Sequence, residues 1–337
     1  MTHTTAIQIH RHGGPEVLER VEIDVPPPLA GEVQIRQSAI GVNFADIYQR
    51  RGAHGPHDAA AAFPITLGAQ GAGVVTAVGP GVSSFRPGEA VAYLHPGAYQ
   101  VLRNVPAPRV VALPGAAHGV SMEAAGANLL RGLTAEYLLR RLYVVQPGDG
   151  VLVHAAAGGM GVILSQWARA LGATVIGTVG SPDKAKVALA NGCHHVIDYR
   201  REDFVARTLE LTDGAGVHVV YDAVGKDVFV PSLRCLRTRG LAVNYGTASG
   251  DVEGFDLQLL HARSLSVCRP TLRSFVAEPE ALRASAATFF DAVRTGPVKL
   301  EVGQRFPLDQ VRQAHEALEG RATTGATVLI PGMKEHL

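Results

Sequence analysis

The octet HAAAGGMG, residues 154–161, carries the most pointed chemistry in the chain. A glycine-rich stretch of this kind is a linker, a turn or a cradle for phosphate, and its flanks decide which. The apolar run VLVH leads into it, and GVILSQWARALGA, with helical spacing, leads out. Set on the dinucleotide fingerprint G-x-G-x-x-G, the chain reads Ala156-x-Gly158-x-x-Gly161, with alanine in place of the first glycine. Gly158 then lets the backbone approach a pyrophosphate, and Gly161 lets the helix lie close on its strand. Backbone N–H groups at the helix start bind the anion.

The end of the next strand, in IGTVGSPDK, selects the dinucleotide. An NAD site places a carboxylate there for the ribose 2′-hydroxyl. Residues 177–181 offer none, Lys184 follows one helical turn in, and Asp183 reads as a cap for the helix start. A hydroxyl at Ser181 and a cation at Lys184, without an anion, suit a 2′-phosphate, so NADPH is expected over NADH. Tyr199 and Arg200, just past the third strand, are placed to flank the adenosine.

Metal chemistry has less to stand on. Cys193, Cys235 and Cys268 are scattered, no C-x-x-C or H-E-x-x-H occurs, and most of the 14 histidines read as solvated surface groups. The same three cysteines are too few for a disulfide framework and fit a reducing cytoplasm. A net charge of +1 and the lack of a basic aromatic patch argue against nucleic acid and anionic membranes. There is no apolar run of ~18 residues for a membrane span, and MTHTTAIQIH lacks the order of a signal peptide.

These residues need a scaffold, and 337 residues suggest two domains. Residues 1–125 read as short, glycine-punctuated strands, such as EVQIRQSAIGVN and GAGVVTAVGPGV, forming a compact β-barrel-like domain. DAAAAF (58–63) reads as loop or one helical turn. From 126 the texture becomes helical in GANLLRGLTAEYLLRRLYVV, then alternates. Strands are expected in GVLVHAA, TVIGTVG, HHVIDY, VHVVYDAVG and LAVNYG, and helices between them, including KDVFVPSLRCLRTRG. Such alternation signals a parallel sheet covered by helices. Residues 126–270 therefore form the nucleotide-type domain. Residues 271–337, with one or two amphipathic helices and a final strand GATVLI, return to the first domain.

Five motifs in order, GGPEVLE, GVNFADIYQR, HAAAGGMG, GTVGSPDKA and VYDAVG, resemble the quinone oxidoreductase (zeta-crystallin-like) branch of the medium-chain dehydrogenase/reductase superfamily. The resemblance runs from about residue 5 to 331. It implies an α/β fold, with a GroES-like β-barrel catalytic domain plus a Rossmann domain with a doubly wound parallel sheet. It also implies a cleft between them, NADPH, and a homodimer. Zinc enzymes of the superfamily carry a ligand cysteine where this chain has Asn43, and His-Glu where it has Ala69-Gln70. Without a Lewis acid, alcohol oxidation has nothing to polarise its oxygen. An electron-poor quinone or activated alkene needs little such help, so positioning supplies most of the catalysis.

The resemblance also distributes roles. Asn43, Phe44, Asp46 and Tyr48 match the segment lining the nicotinamide and substrate end. Asn43 would hydrogen-bond a carbonyl oxygen, and Tyr48 would donate a proton or stack. Thr134 and Tyr137 match the helix near the nicotinamide, and Gly158, Gly159 and Met160 the pyrophosphate loop. Gly180, Ser181 and Lys184 match the 2′-phosphate pocket, with Tyr199 beside it. Ala223 and Tyr245 follow later strands along the adenine and ribose. Arg269 and Pro270 match the loop at the nicotinamide amide, and Arg321 an arginine that reaches the phosphates. Gln70 replaces a common glutamate, which leaves that carboxylate's role open. His54 stands near an expected tyrosine and reads as solvated. The expected activity is NADPH:quinone reduction. Reduction of α,β-unsaturated carbonyls or acids remains open, as does a non-catalytic use of NADPH binding in a structural or RNA-binding protein.

Overall fold

The computed structural model describes residues 1–53, 62–115 and 120–333. His54 and most of the 58–63 stretch lie outside them. The chain divides into two compact units. The first comprises Met1–Leu130, Leu282–Arg294 and Leu300–Leu337, and the second Arg131–Ala281 and Thr295–Lys299.

The first unit begins with β1 (Thr2–Ile9), β2 (Glu19–Val25), β3 (Glu32–Val42) and helix α1 (Phe44–Arg51). Strands β4 (Ile65–Thr66), β5 (Gln70–Val78), β6 (Ala90–Leu94), β7 (Leu102–Pro106) and β8 (Val110–Ala112) follow. Helix α2 (Met122–Tyr137) starts four residues before the expected GANLLRG stretch and passes from the first unit into the second.

The second unit then runs β9 (Gly150–Val153), α3 (Gly159–Ala170), β10 (Thr174–Val179), α4 (Pro182–Ala190), β11 (His195–Asp198), α5 (Phe204–Glu210) and β12 (Val217–Asp222). It continues through α6 (Phe229–Ser232), β13 (Leu236–Asn244), α7 (Gln258–His261), β14 (Ser266–Cys268) and α8 (Leu272–Phe275). Most of α9 (Pro279–Arg294), with β15 (Val302–Pro307), α10 (Val311–Glu319) and β16 (Ala326–Ile330), belongs to the first unit.

In the first unit β3 is the hub. It pairs antiparallel with β5, β7 and β16 in a seven-stranded sheet ordered β15-β16-β3-β5-β6-β8. A smaller sheet is ordered β2-β1-β4. The alternation in β3 buries Val33 and Ile35, and the strand is then buried continuously from Ala39 to Val42. Val33, Ile35, Ile40 and Val42 pack with Val75, Val91, Tyr93 and Tyr99 in one core, and Ala39 packs with Ala127, Ala326 and Val328 in another. The inward-outward period of two converts the sequence pattern directly into a core face.

In the second unit all six strands are parallel, ordered β11-β10-β9-β12-β13-β14. That is the doubly wound order, and it reverses between β9 and β12, where such sheets bind ligands beyond their carboxyl ends. Leu152, Ile176, Ile197 and Val220 form its inner core.

Three expectations need correction. KDVFVPSLRCLRTRG is not one helix: α6 and a 3-10 turn end at Cys235, and LRTRG already belongs to β13. The helix ends because Leu236 pairs with Val217, and the parallel ladder outweighs local helix preference. A sixth parallel strand, β14, is only three residues long and carries too little pattern to read. Strand β15, which alternates half-buried and exposed residues up to the buried Pro307, is likewise absent from the expected strands.

Candidate functional site

The residues expected to bind phosphate lie in the second unit. Strand β9 ends at Val153, and Ala156 N–H bonds Thr178 O at 3.0 Å, tying the glycine loop to the end of β10. The left-handed residue is Ala155, at φ +52°, one position before the alanine aligned with the first fingerprint glycine. Gly158 is the N-cap of α3, and no side chain caps the helix. Its first-turn N–H groups, at Gly159, Met160 and Gly161, are thus presented to an anion. A Cβ on Gly161 would run into the Ala155 carbonyl oxygen and the Ala156 backbone. The glycine is therefore required by the close packing of helix on strand, as the fingerprint demands.

His154 lies beneath this loop and is fully buried. Its Nδ1 is 2.9 Å from Thr178 Oγ1 and its Nε2 is 2.8 Å from Ser232 Oγ. Ser232 donates to Val228 O at 2.6 Å, so it accepts from Nε2–H, and Nδ1 accepts from Thr178. Burial pushes the imidazole pKa down to about 3. His315 in the first unit is also fully buried. These two are exceptions to the expectation that most of the histidines are solvated, because each buried ring has two polar partners.

At the end of β10, Ser181 caps α4: its Oγ accepts from Lys184 N–H at 3.3 Å. Asp183 is therefore not the cap. It sits exposed in the first turn and pairs with Lys186 Nζ at 2.9 Å. Ser181 keeps its hydroxyl hydrogen for another acceptor, since capping uses only its lone pair. A Cβ on Gly180 would come within 2.5 Å of Tyr199 Oη, so the phenol lies over the glycine. Gly180, Ser181 and Tyr199 thus converge, with Lys184 on the adjoining turn. Arg200 N–H donates to Asp198 Oδ1 at 3.1 Å.

Ala223, Tyr245, Arg269 and Pro270 all follow the carboxyl ends of β12, β13 and β14. Buried Asp222 accepts from Val224 N–H at 2.6 Å, Gly225 N–H at 3.1 Å and Asn244 Nδ2 at 2.9 Å. Burial raises the pKa of its carboxyl group. Asn244 Oδ1 in turn accepts from Arg269 Nη1, and Asp251 lies 3.7 Å from the same guanidinium. Tyr245 N–H bonds Asp222 O at 2.8 Å. Thr134 and Tyr137 are buried on α2. The Tyr137 ring is stacked on Phe275, with centroids 4.1 Å apart, and burial holds its hydroxyl far above the usual phenol pKa. Beyond Tyr137 the helix widens into a π turn, Leu138–Leu142, against which Tyr221 Oη donates to Leu138 O at 2.9 Å.

The other residues lie in the first unit. Asn43 precedes α1 as its N-cap, and its backbone N–H donates to Asp46 Oδ2 at 2.8 Å. Its side-chain Nδ2 is buried without a partner among the described residues. Such a donor costs about 1–3 kcal/mol unless something else satisfies it. Phe44 and Tyr48, one turn apart, hold their rings 6.1 Å apart. Arg321 follows the end of α10 in a left-handed conformation, φ +56°, with its side chain exposed.

Gln70 is fully buried and reads α2 on both sides. Its Nε2 donates to Ala127 O at 3.1 Å, and its Oε1 accepts from Leu130 N–H at 2.5 Å. A carboxylate would accept the second bond but could not make the first. The amide thus has a structural part that its family glutamate would fill differently. Among the described residues, no group of three His, Cys, Asp or Glu is placed to hold a metal ion.

Comparison with known proteins places this geometry. Residues 29–141 match the model of the alcohol dehydrogenase GroES-like domain, and residues 159–290 that of the zinc-binding dehydrogenases. A quinone oxidoreductase of Salmonella typhimurium is 46% identical over 97% of this chain and 99% of its own length. A 2-haloacrylate reductase of a Burkholderia species is 43% identical over 97% of this chain and 98% of its own. The crystal structure of Escherichia coli quinone oxidoreductase complexed with NADPH superposes with a TM-score of 0.92. It is 44% identical and covers 97% of this chain and 100% of that one.

Proposed function

The chain belongs to the quinone oxidoreductase branch of the medium-chain dehydrogenase/reductase superfamily, and from that premise we propose how its residues divide the work. It is an NADPH-dependent quinone oxidoreductase. We assign residues 1–125 and 271–337 to the catalytic domain and 126–270 to cofactor binding. When bound, NADPH supplies a hydride to an electron-poor acceptor.

The residues present fit that cofactor. The first-turn N–H groups of Gly159 and Met160 would hold the pyrophosphate, Gly158 would keep a Cβ out of its way, and Gly161 lets the helix start pack against Ala155 and Ala156. Ser181 O–H and Lys184 would bind the 2′-phosphate beside Tyr199, with no carboxylate between residues 177 and 181 to repel it. Thr134, Tyr137, Ala223, Tyr245, Arg269 and Pro270 would line the nucleoside and nicotinamide parts. Phe44, Asp46 and Arg321 complete the set. Asn43 would donate Nδ2–H to the acceptor's carbonyl oxygen, where negative charge develops, and Tyr48 would hold or donate the proton that follows. The buried Asn43 Nδ2, without a partner among the described residues, is the observation that carries this reading.

Zinc independence is part of the proposal. Amide and methyl side chains at Asn43, Ala69 and Gln70 are poor ligands beside thiolate, imidazole and carboxylate. We also propose a cytoplasmic homodimer acting on small molecules, without nucleic-acid or membrane partners. No helix among the described residues is long and apolar enough to cross a membrane. Light scattering after gel filtration measures the subunit number.

The likeness to a 2-haloacrylate reductase favours a second reading, reduction of an activated alkene. The test mixes the protein with NADPH and 1,4-benzoquinone, 9,10-phenanthrenequinone or 2-alkenals, and follows the nicotinamide absorbance. Turnover with the quinones alone is expected. Turnover with the alkenals alone would establish the second reading instead.

A further inference from the structure

A directed chain of hydrogen bonds runs from Asn43 through the interior of the first unit to α10. Asn43 N–H and Tyr99 Oη both donate to Asp46 Oδ2, at 2.8 and 3.1 Å. Tyr99 Oη lies 3.0 Å from His315 Nε2, and His315 Nδ1 lies 3.0 Å from Arg50 Nη1. Arg50 also donates to Gly13 O at 3.1 Å and to Glu319 at 2.7 Å. Tyr99, Arg50 and His315 are fully buried and Asp46 nearly so.

The direction of each bond follows from the ends. A guanidinium only donates, so His315 Nδ1 accepts. Burial and the neighbouring Arg50 keep the imidazole neutral, so its one hydrogen sits on Nε2 and points at Tyr99. Tyr99 accepts there and has its own hydrogen left for Asp46. Asp46 then receives two donors and holds the backbone N–H of Asn43. An arginine in the row blocks proton passage, so the chain is a brace rather than a proton wire. It fixes the first turn of α1 from residues distant in sequence.

We propose that His315 and Tyr99 are positioning residues for the reaction: they fix Asp46 and thereby set where the Asn43 amide points. The inference rests on the assignment of Asn43 to the acceptor's carbonyl oxygen. In place of the imidazole, an amide at 315 supplies an acceptor for Arg50 and a donor for Tyr99, whereas an aliphatic side chain supplies neither.

The test measures kcat and KM for 1,4-benzoquinone, and the Kd of NADPH, in the full chain. The variants are Tyr99→Phe, His315→Gln, His315→Leu, Asn43→Ala and the double variant Tyr99→Phe/Asn43→Ala. Tyr99→Phe, which keeps the ring in place, is expected to lower kcat/KM about tenfold in the native background and less than about twofold once Asn43 is alanine. NADPH affinity stays within about twofold in both, and His315→Gln retains more activity than His315→Leu. Equal losses in the two backgrounds, or no loss in the native one, overturn the positioning role even with Asn43 confirmed. If Asn43→Ala alone leaves kcat/KM intact, the assignment of Asn43 falls, and this inference with it. Should His315→Leu fail to fold, the Tyr99→Phe cycle decides alone.

Discussion

The two groups of candidate residues, one in each unit, are built in opposite ways. The phosphate side is made of contiguous backbone: residues 154–161 form one turn and residues 177–184 another, and the two are tied by a strand pairing. The substrate side, as we propose it, hangs on one asparagine whose backbone N–H ends a hydrogen-bond network through side chains at 46, 50, 99, 315 and 319. A backbone cradle needs glycines and a helix end, and these are local. A positioned amide needs a braced environment, and that environment is assembled from wherever the fold brings polar groups together.

The comparison predicts separable damage. The largest expected effect is on the substrate side. Arg50→Met takes one of two arginines from Glu319 and leaves Gly13 O and the buried His315 Nδ1 without their donor, and should cost about 3–5 kcal/mol in urea unfolding. At temperatures where it stays folded, it should lose quinone turnover more than NADPH affinity. Lys184→Ala should do the reverse. Calorimetry should show NADPH binding weakened by about 1–3 kcal/mol more than NADH binding, with quinone KM little changed. Equal losses for both cofactors would remove Lys184 from the 2′-phosphate pocket.

Gln70→Glu tests the packing that supports α2. Replacing the donor that faces Ala127 O by a carboxylate oxygen should destabilise the chain by about 1–3 kcal/mol, read from the urea midpoint. Between pH 7 and 6 the smallest effect is on pH dependence, and it grows on further acidification. His154 and His315, one in each unit, are both depressed from an ordinary 6.5 to about 3 by burial. Between those values the unfolded chain binds protons that the native chain does not. Stability should therefore rise with pH across that window and level off above it, by at most about 1.4 kcal/mol per pH unit for each histidine. Urea midpoints taken across the window check this, and a midpoint that rose on acidification would contradict it.

Legibility in the sequence follows the same division. The glycine octet, the Ser181–Lys184 turn and the strand-helix alternation are short-range patterns, and each was readable. Asp183 has the residue type of a cap, but Ser181, two residues earlier and matched to the phosphate pocket, takes that place. One hydroxyl can serve both, as acceptor to Lys184 N–H and as donor outward. LRTRG read as helix because its strand partner, Val217, lies far upstream. His154 and His315 carry no local mark of burial, since nothing near them in sequence announces Ser232 or Tyr99. Asn43 was named from family likeness. Its amide nitrogen, buried without a partner among the described residues, gives the assignment physical content and is visible only in the fold.

The central claim is that a metal-free chain reads the 2′-phosphate of its cofactor through Ser181 and Lys184. Titration calorimetry of NADPH and NADH against the same zinc-free preparation tests it most directly. NADPH should bind at least about tenfold more tightly, the equivalent of about 1.4 kcal/mol. Indistinguishable affinities would contradict it.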